Sequence, residues 1–148
     1  HQNVYESAGM NMVDMPNYVQ NLVDHLWTAY QKEGEPVQIE VAVKPMQLHM
    51  DQVVSIGMII NELVTNSLKY AFPEGRSGEV DVNLWKDEKG HLTLKVSDNG
   101  AGLNEQNTQA KGTGFGTDLV RMLSKKLKGN IQVQTPEKGY ATLIHFDL

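Results

Sequence analysis

The sequence predicts an α+β domain, a two-layer α/β sandwich with its helices packed on one face of a mixed, mostly antiparallel sheet. Three observations carry that expectation. Two stretches, Tyr18 to Tyr30 and Ile56 to Leu68, repeat apolar residues at helical spacing. Short runs that alternate apolar and polar residues lie between and after them, the pattern of strands with one buried face. At 148 residues and 40% hydrophobic, the chain is long enough for one core and short for two.

Taken in order, residues 1–13 read as an irregular, Met-rich linker and residues 14–148 as the domain. Asp14 followed by Pro16 marks a helix start, an N-cap oxygen and then a proline whose missing N–H does no harm in the first turn. Tyr18, Val19, Leu22, Val23, Leu26, Trp27 and Tyr30 give that helix one apolar stripe, and Glu33 and Gly34 are expected to end it. Val37 to Val43 alternates as a strand. Asp51 is placed to cap a second helix running to about Tyr70, with Ile56, Ile59, Ile60, Leu63, Val64 and Leu68 buried. Pro73 and Gly75 stop it. Glu79 to Trp85 and His91 to Ser97 form an antiparallel pair across the polar turn Asp87 to Gly90. Leu103 to Lys111 is polar and aperiodic, read as a mobile loop. A third helix is predicted from about Phe115 to Leu127, with Gly129 at the C-cap position. Ile131 to Thr135 and Ala141 to Phe146 complete the sheet. Met46, Met50, Met58 and Met122 read as core or gap filling. Arg121, Lys125 and Lys128 read as a solvated basic face favoured by the helix dipole, with docking onto a partner helix as the alternative.

Composition removes several function classes. A net charge of −5 argues against a nucleic-acid surface. Without cysteine there is no disulfide, thiolate catalysis or cysteine-zinc site. The five histidines never fall in metal-ligand spacing, and His25 reads as packing or surface on the first helix. No apolar run is long enough to cross a bilayer, and the first residues are not a signal peptide. Because it begins with His1 rather than Met, the chain is expected to be a piece of a longer polypeptide.

Three runs carry chemistry: Asn61 to Tyr70 (NELVTNSLKY), Asp98 to Gly102 (DNGAG) and Gly112 to Gly116 (GTGFG). Glu62, Asn66 and Lys69 stand at i, i+4 and i+7, so an α-helix puts them on one face, with Tyr70 at its edge. A carboxylate, a carboxamide oxygen and an ammonium suit a hydrated Mg²⁺ carrying phosphates, because Mg²⁺ takes few protein oxygens and lysine supplies a point charge. The bland alternative is a solvated face with an ordinary charge pair. Asp98 ends an apolar strand; its carboxylate only accepts hydrogen bonds and suits the exocyclic amino group of adenine. Gly100 and Gly102 let the backbone approach a flat base, although Asp-Asn-Gly is also a turn sequence. Gly112, Gly114 and Gly116 lie where amides at a helix start bind phosphate, with Phe115 among them; a plain glycine loop is the alternative. The dinucleotide fingerprint and the P-loop both fail on spacing.

Together the runs resemble the N, G1 and G2 boxes of the Bergerat-type (GHKL) ATPases, shared by sensor histidine kinases, type II topoisomerases, heat-shock chaperones and mismatch-repair ATPases. The wording NELVTNSLKYAFP is most similar to histidine kinases with a HisKA_2-like or HWE-like dimerisation region, and residues 1–13 resemble the linker from that region. The resemblance implies the ATP-binding catalytic domain of a two-component kinase that transfers the γ-phosphoryl group to a histidine on a separate dimerisation domain. It makes ATP and Mg²⁺ the cofactors, Asn66 the metal ligand and Asp98 the adenine acceptor, with Gly100, Gly102 and Leu103 shaping the pocket. Gly112, Gly114, Phe115 and Gly116 would flank the triphosphate, and Lys69, with Tyr70, would contact phosphate. Glu62 would orient or deprotonate the attacking imidazole. A response regulator downstream, a homodimeric full-length protein and a cytoplasmic location, with or without a membrane-anchored receptor, are implied too. Two departures stand out. Where the family often has Thr after its last glycine, Gly139 is followed by Tyr140, which makes Thr142 the candidate substitute; and no histidine matches a phosphoacceptor box. A hydrolysing ATPase, an anti-sigma-type serine kinase and a docking module without nucleotide are the rival readings.

Overall fold

Asp14 acts as its place before Pro16 predicts. Its Oδ1 accepts the amide of Asn17 at 3.2 Å, and its carbonyl accepts the amide of Tyr18 at 2.8 Å, which opens α1 (Met15–Tyr30). Val19, Val23 and Leu26 of α1 are buried, and the Trp27 indole donates to the Val37 carbonyl at 2.7 Å, pinning the helix to the start of β3 (Val37–Val43). The computed structural model describes residues 4–7, 10–30, 37–73, 77–101, 115–135 and 138–147. The ends expected at Glu33, Gly34 and Gly75, and the loop Leu103 to Lys111, lie outside them.

The lead-in is more ordered than its composition suggests. Val4–Ser7 (β1) and Met10–Val13 (β2) pair antiparallel, with Val4 opposite Val13. Both strands are only four residues long, too short for alternation to be legible in the sequence.

After α2 (Met50–Asn66) the chain does not simply stop; it widens into a π-helical turn, Ser67–Ala71. The cap falls earlier than Asp51. His49 holds that position, its amide donating to Gln52 Oε1 at 2.9 Å, while Asp51 sits in the first turn, where its charge favours the helix dipole. Then follow β4 (Gly78–Lys86), β5 (Leu92–Asp98), α3 (Phe115–Lys126), β6 (Gly129–Gln134) and β7 (Tyr140–Phe146). In the β4–β5 turn, Asp87 Oδ1 accepts the amides of Lys89 and His91, both at 2.9 Å, and Gly90 takes φ +84°.

Five of these strands form one sheet in the order β3-β4-β5-β7-β6, parallel between β3 and β4 and antiparallel elsewhere. Val80, Val82 and Leu84, Leu92, Leu94 and Val96, and Ile144 and Phe146 line its inner face. They meet Ile56, Ile59, Ile60 and Val64 of α2 and Val120, Leu123 and Leu127 from α3 and its end in one core. The predicted two-layer α+β sandwich is therefore the observed one.

Two readings need correction. Lys128, not Gly129, takes the left-handed conformation after α3, at φ +55°; Gly129 opens β6, where an added Cβ would stand 2.9 Å from the Phe146 ring. Met50, Met58 and Met122 are not core: they are 47%, 41% and 61% exposed, and only Met46 packs against the core. Met50, Val54 and Met58 recur every four residues on the outward side of α2, because the isoleucines already fill its inward side. Replacing Asp14 with Ala should cost about 1 kcal/mol of stability through the lost cap. Urea unfolding should show it as a lower midpoint at unchanged slope.

Candidate functional site

The site grows from the end of β5. Apolar alternation carries Leu92, Leu94 and Val96 into the core, and the same parity turns Asp98 inward, 7% exposed. A carboxylate at that depth needs partners. Its Oδ2 accepts the Ser67 hydroxyl at 2.9 Å, across 31 positions of sequence, and its Oδ1 accepts the Gly100 amide at 3.0 Å.

Backbone closure locks the loop that follows. The Ala101 amide donates to the Ala71 carbonyl at 2.8 Å, closing the loop onto the π turn. Gly100 lies so close there that an added Cβ would stand 2.2 Å from the same oxygen. On the other side Asn99 Oδ1 accepts the Glu79 amide at 2.7 Å, and the Asn99 amide donates to the Glu79 carbonyl at 3.2 Å. Gly139, at φ +102°, passes over the Asp98 carbonyl.

On β7 the ladder sets Tyr140 opposite Asp98 and Thr142 opposite Val96, so both stand on the face that carries Asp98. Thr142 is buried. Burial, and secondly the Asp98 charge, push the Tyr140 phenol above its ordinary range, while a hydrogen bond with Thr142 opposes them. Sequence reasoning brought Thr142 here and left Tyr140 and Ser67 out. Tyr140 was signalled only as a departure from the family pattern. Ser67 carries a clearer mark: a hydroxyl among Val64, Leu68 and Ala71, where an apolar residue is expected and a polar one must find a partner.

Glu62, Asn66 and Lys69, expected to take metal and phosphate, are brought together only in part as the 3.6-residue period predicts. Glu62 and Asn66 lie one α-helical turn apart on α2, both half-buried, and the Asn66 carboxamide is not consumed in capping the π turn. Lys69 falls beyond the widening. It is exposed, and its ammonium lies over the Tyr30 ring of α1, 5.4 Å from the centroid. An exposed cation–π contact of this kind is worth only about 0.5–1 kcal/mol. Tyr70 is half-buried in the same turn. Phe115 opens α3 and Gly116 follows within its first turn. Gly102, Leu103, Gly112 and Gly114 lie outside the described residues.

Chemically, the carboxylate is acceptor-only, with each oxygen already holding one donor and capacity left for an N–H group of a ligand. Among the described residues no group of three or more His, Cys, Asp or Glu could hold a metal by itself. A Mg²⁺ held through Asn66 would draw its remaining ligands from phosphate and water, as that ion commonly does. No helix among the described residues is long and apolar enough to cross a membrane.

Comparison with known proteins places the family and the fold. The family model described as "Histidine kinase-, DNA gyrase B-, and HSP90-like ATPase" matches residues 51–148. Blue-light-activated histidine kinase 2 of Erythrobacter litoralis is 24% identical over a stretch covering 76% of this chain and 32% of its own length. The signal transduction histidine-protein kinase/phosphatase MprB of Mycolicibacterium vanbaalenii is 26% identical, covering 90% of this chain and 30% of its own. The chain thus spans about a third of these curated relatives. Among solved structures, the histidine kinase domain of the Erythrobacter litoralis EL346 blue-light activated kinase superposes with TM-score 0.80 at 20% identity, over 92% of this chain and 62% of that one. Full-length ShkA in complex with AMPPNP gives TM-score 0.71 at 16% identity, over 99% and 31%. The fold is shared with both.

Tyr140 should titrate above the ordinary phenol range when followed by ultraviolet difference absorbance. Its raised value means that its contribution to stability is intact below the unfolded-state value of about 10 and is lost as pH rises through the folded-state one. Asp98→Asn should move the titration down without restoring it fully, because burial is the larger cause.

Proposed function

From the premise that this chain belongs to the family of histidine kinase-, DNA gyrase B- and HSP90-like ATPases, we propose that residues 14–148 are the ATP-binding catalytic domain of a two-component sensor histidine kinase. In this reading the domain holds ATP with Mg²⁺ and passes the γ-phosphoryl group to a histidine on a dimerisation domain of the same protein, reached through residues 1–13, with a response regulator as the next acceptor. The wording of the Asn61–Tyr70 run favours the HisKA_2-like or HWE-like kind, homodimeric and facing the cytoplasm.

One observation carries the reading. Asp98 is a buried carboxylate held by two donors, and it is tied through Ser67 to the helix end that presents Asn66. An acceptor-only group at such a depth selects a ligand that brings an N–H donor, as the six-amino group of adenine does, and rejects one that presents a carbonyl there. Gly100 and Gly102 admit the base, with Leu103 as a wall and Thr142 behind Asp98. Gly112, Gly114, Phe115 and Gly116 are the proposed surround of the triphosphate, and Asn66 is the proposed ligand of the metal. The cation supplies charge neutralisation of the phosphates. Lys69 leaves the Tyr30 ring to add a second positive charge, with Tyr70 beside it.

Phosphoryl transfer asks little covalent chemistry of the protein; alignment and charge neutralisation carry it. Glu62, one turn before Asn66, stands where a carboxylate can orient or accept a proton from the attacking imidazole nitrogen. The relatives named as histidine kinases support a histidine acceptor over water or serine.

Titration with a fluorescent ATP analogue should show Mg²⁺-assisted binding by this domain. Asp98→Asn should weaken it about 100-fold, as expected when a buried charge-assisted pair is replaced by a mismatched amide. Asn66→Asp should leave metal-free binding largely intact and change the Mg²⁺ dependence and the transfer. With the phosphoacceptor domain added, the product phosphate should be acid-labile. Acid-stable phosphate, or sustained phosphate release by the domain alone, would move the assignment to a serine kinase or a hydrolase.

A further inference from the structure

The Ser67 hydroxyl has a common local option in a helix, bonding back to the carbonyl one turn earlier. It does not take it. The Ser67 amide satisfies the carbonyls of Leu63 and Val64, and the hydroxyl reaches across to Asp98 Oδ2, with Ser67 itself 6% exposed. That contact and the Gly100 amide hold different oxygens of the same carboxylate. One anchor fixes where the group sits; two fix the plane in which it lies. A planar acceptor facing an amino group depends on that plane, because hydrogen bonds weaken steeply with misalignment.

From this geometry we infer that Ser67 is a positioning residue for base recognition, one that sets the carboxylate plane of Asp98 and so the preference for a six-amino purine. The inference rests on the nucleotide reading given above. Ser67 touches Asp98, and its effect on the base passes through Asp98. Its backbone is shared with the metal helix: Asn66 precedes it directly, half-buried, while Ser67 turns inward. One peptide unit therefore joins the residue assigned to the metal to the residue that orients the base acceptor.

The test compares ATP with a purine nucleoside triphosphate lacking the six-amino group, both titrated into the wild-type domain and into Ser67→Ala with Mg²⁺ present. Loss of the hydroxyl should weaken ATP by about tenfold, the scale of one charge-assisted hydrogen bond, and the deaminated analogue by less than about twofold. In the Asp98→Asn background, Ser67→Ala should have no further effect on the ratio of the two affinities. A purely structural serine would lower both affinities together and leave their ratio unchanged, and that result overturns the inference. Should circular dichroism show Ser67→Ala unfolded, Ser67→Cys, close in shape with a weak donor, decides the matter: an unchanged ratio there overturns it too. A wild-type domain that binds neither nucleotide sinks the nucleotide reading and this inference together. A wild type that prefers ATP, with the preference kept in both Ser67 variants, sinks only the inference.

Discussion

A carboxylate folded into an apolar interior is the constraint around which this domain is arranged. Asp98 lies at the end of a strand whose other inward residues are Leu92, Leu94 and Val96. Left unpaired, a group like it would cost several kcal/mol; held by two donors it becomes tolerable, and its remaining lone pairs stay available. Three features around it read as consequences of that need. The π turn brings Ser67 to it, the absence of a Cβ at Gly100 lets the Gly100 amide fold back onto it while the next amide closes on Ala71, and Gly139 carries β7 past its carbonyl without collision. A stability-optimised fold would place leucine or valine there. The expense of keeping a charge in that position is the physical sign of a binding group.

The scaffold was largely legible because it is built from periodic patterns. Val37–Val43 is a strand with the expected bounds, and β4, β5, β6 and β7 differ from expectation by one or two residues. Alternation survives in a single-sided sheet because one face must be apolar and the other wet. Signals without a period were weaker. The β1–β2 hairpin is too short to alternate visibly, and Lys128 takes a positive φ that composition would assign to the neighbouring glycine. The methionines show a different failure. Apolar character alone does not tell which side of a helix a residue occupies once the isoleucines have filled the inward one.

Among the expected site groups, one relation differs between the sequence and the structure. Glu62 and Asn66 share a face as a regular helix dictates, but the same arithmetic extended to Lys69 assumes 3.6 residues per turn throughout. Past Asn66 the backbone widens, and the ammonium settles over Tyr30 instead. Nothing in the ten residues of that run announces a π turn. Wide turns of this kind form where tertiary contacts outweigh local hydrogen bonding, and here those contacts come from residues far along the chain, at Asp98, Gly100 and Ala101. Ser67 was passed over for the same reason: its partner is invisible until the sheet is assembled.

The widened turn also bears on how the two ends of a nucleotide could be sensed together. A base and a triphosphate are separated by a sugar, and most scaffolds would read them with independent loops. In this domain the Ala71 carbonyl accepts from the loop after Asp98, the Ser67 hydroxyl reaches Asp98, and Asn66 and Lys69 flank them within the same stretch of backbone. A shift of that stretch moves Asp98, the proposed base acceptor, and Asn66, the proposed metal ligand, at once. The chain's net charge of −5 bears on the same stretch. An acidic protein gains little from attracting a polyanion by general field, so affinity for one would have to come from a few cations placed locally, and Lys69, over the half-buried Tyr30 ring, is the cation on this turn. With that lysine two residues after the serine that holds Asp98, the proposed base fit and the proposed charge delivery would be properties of a single turn.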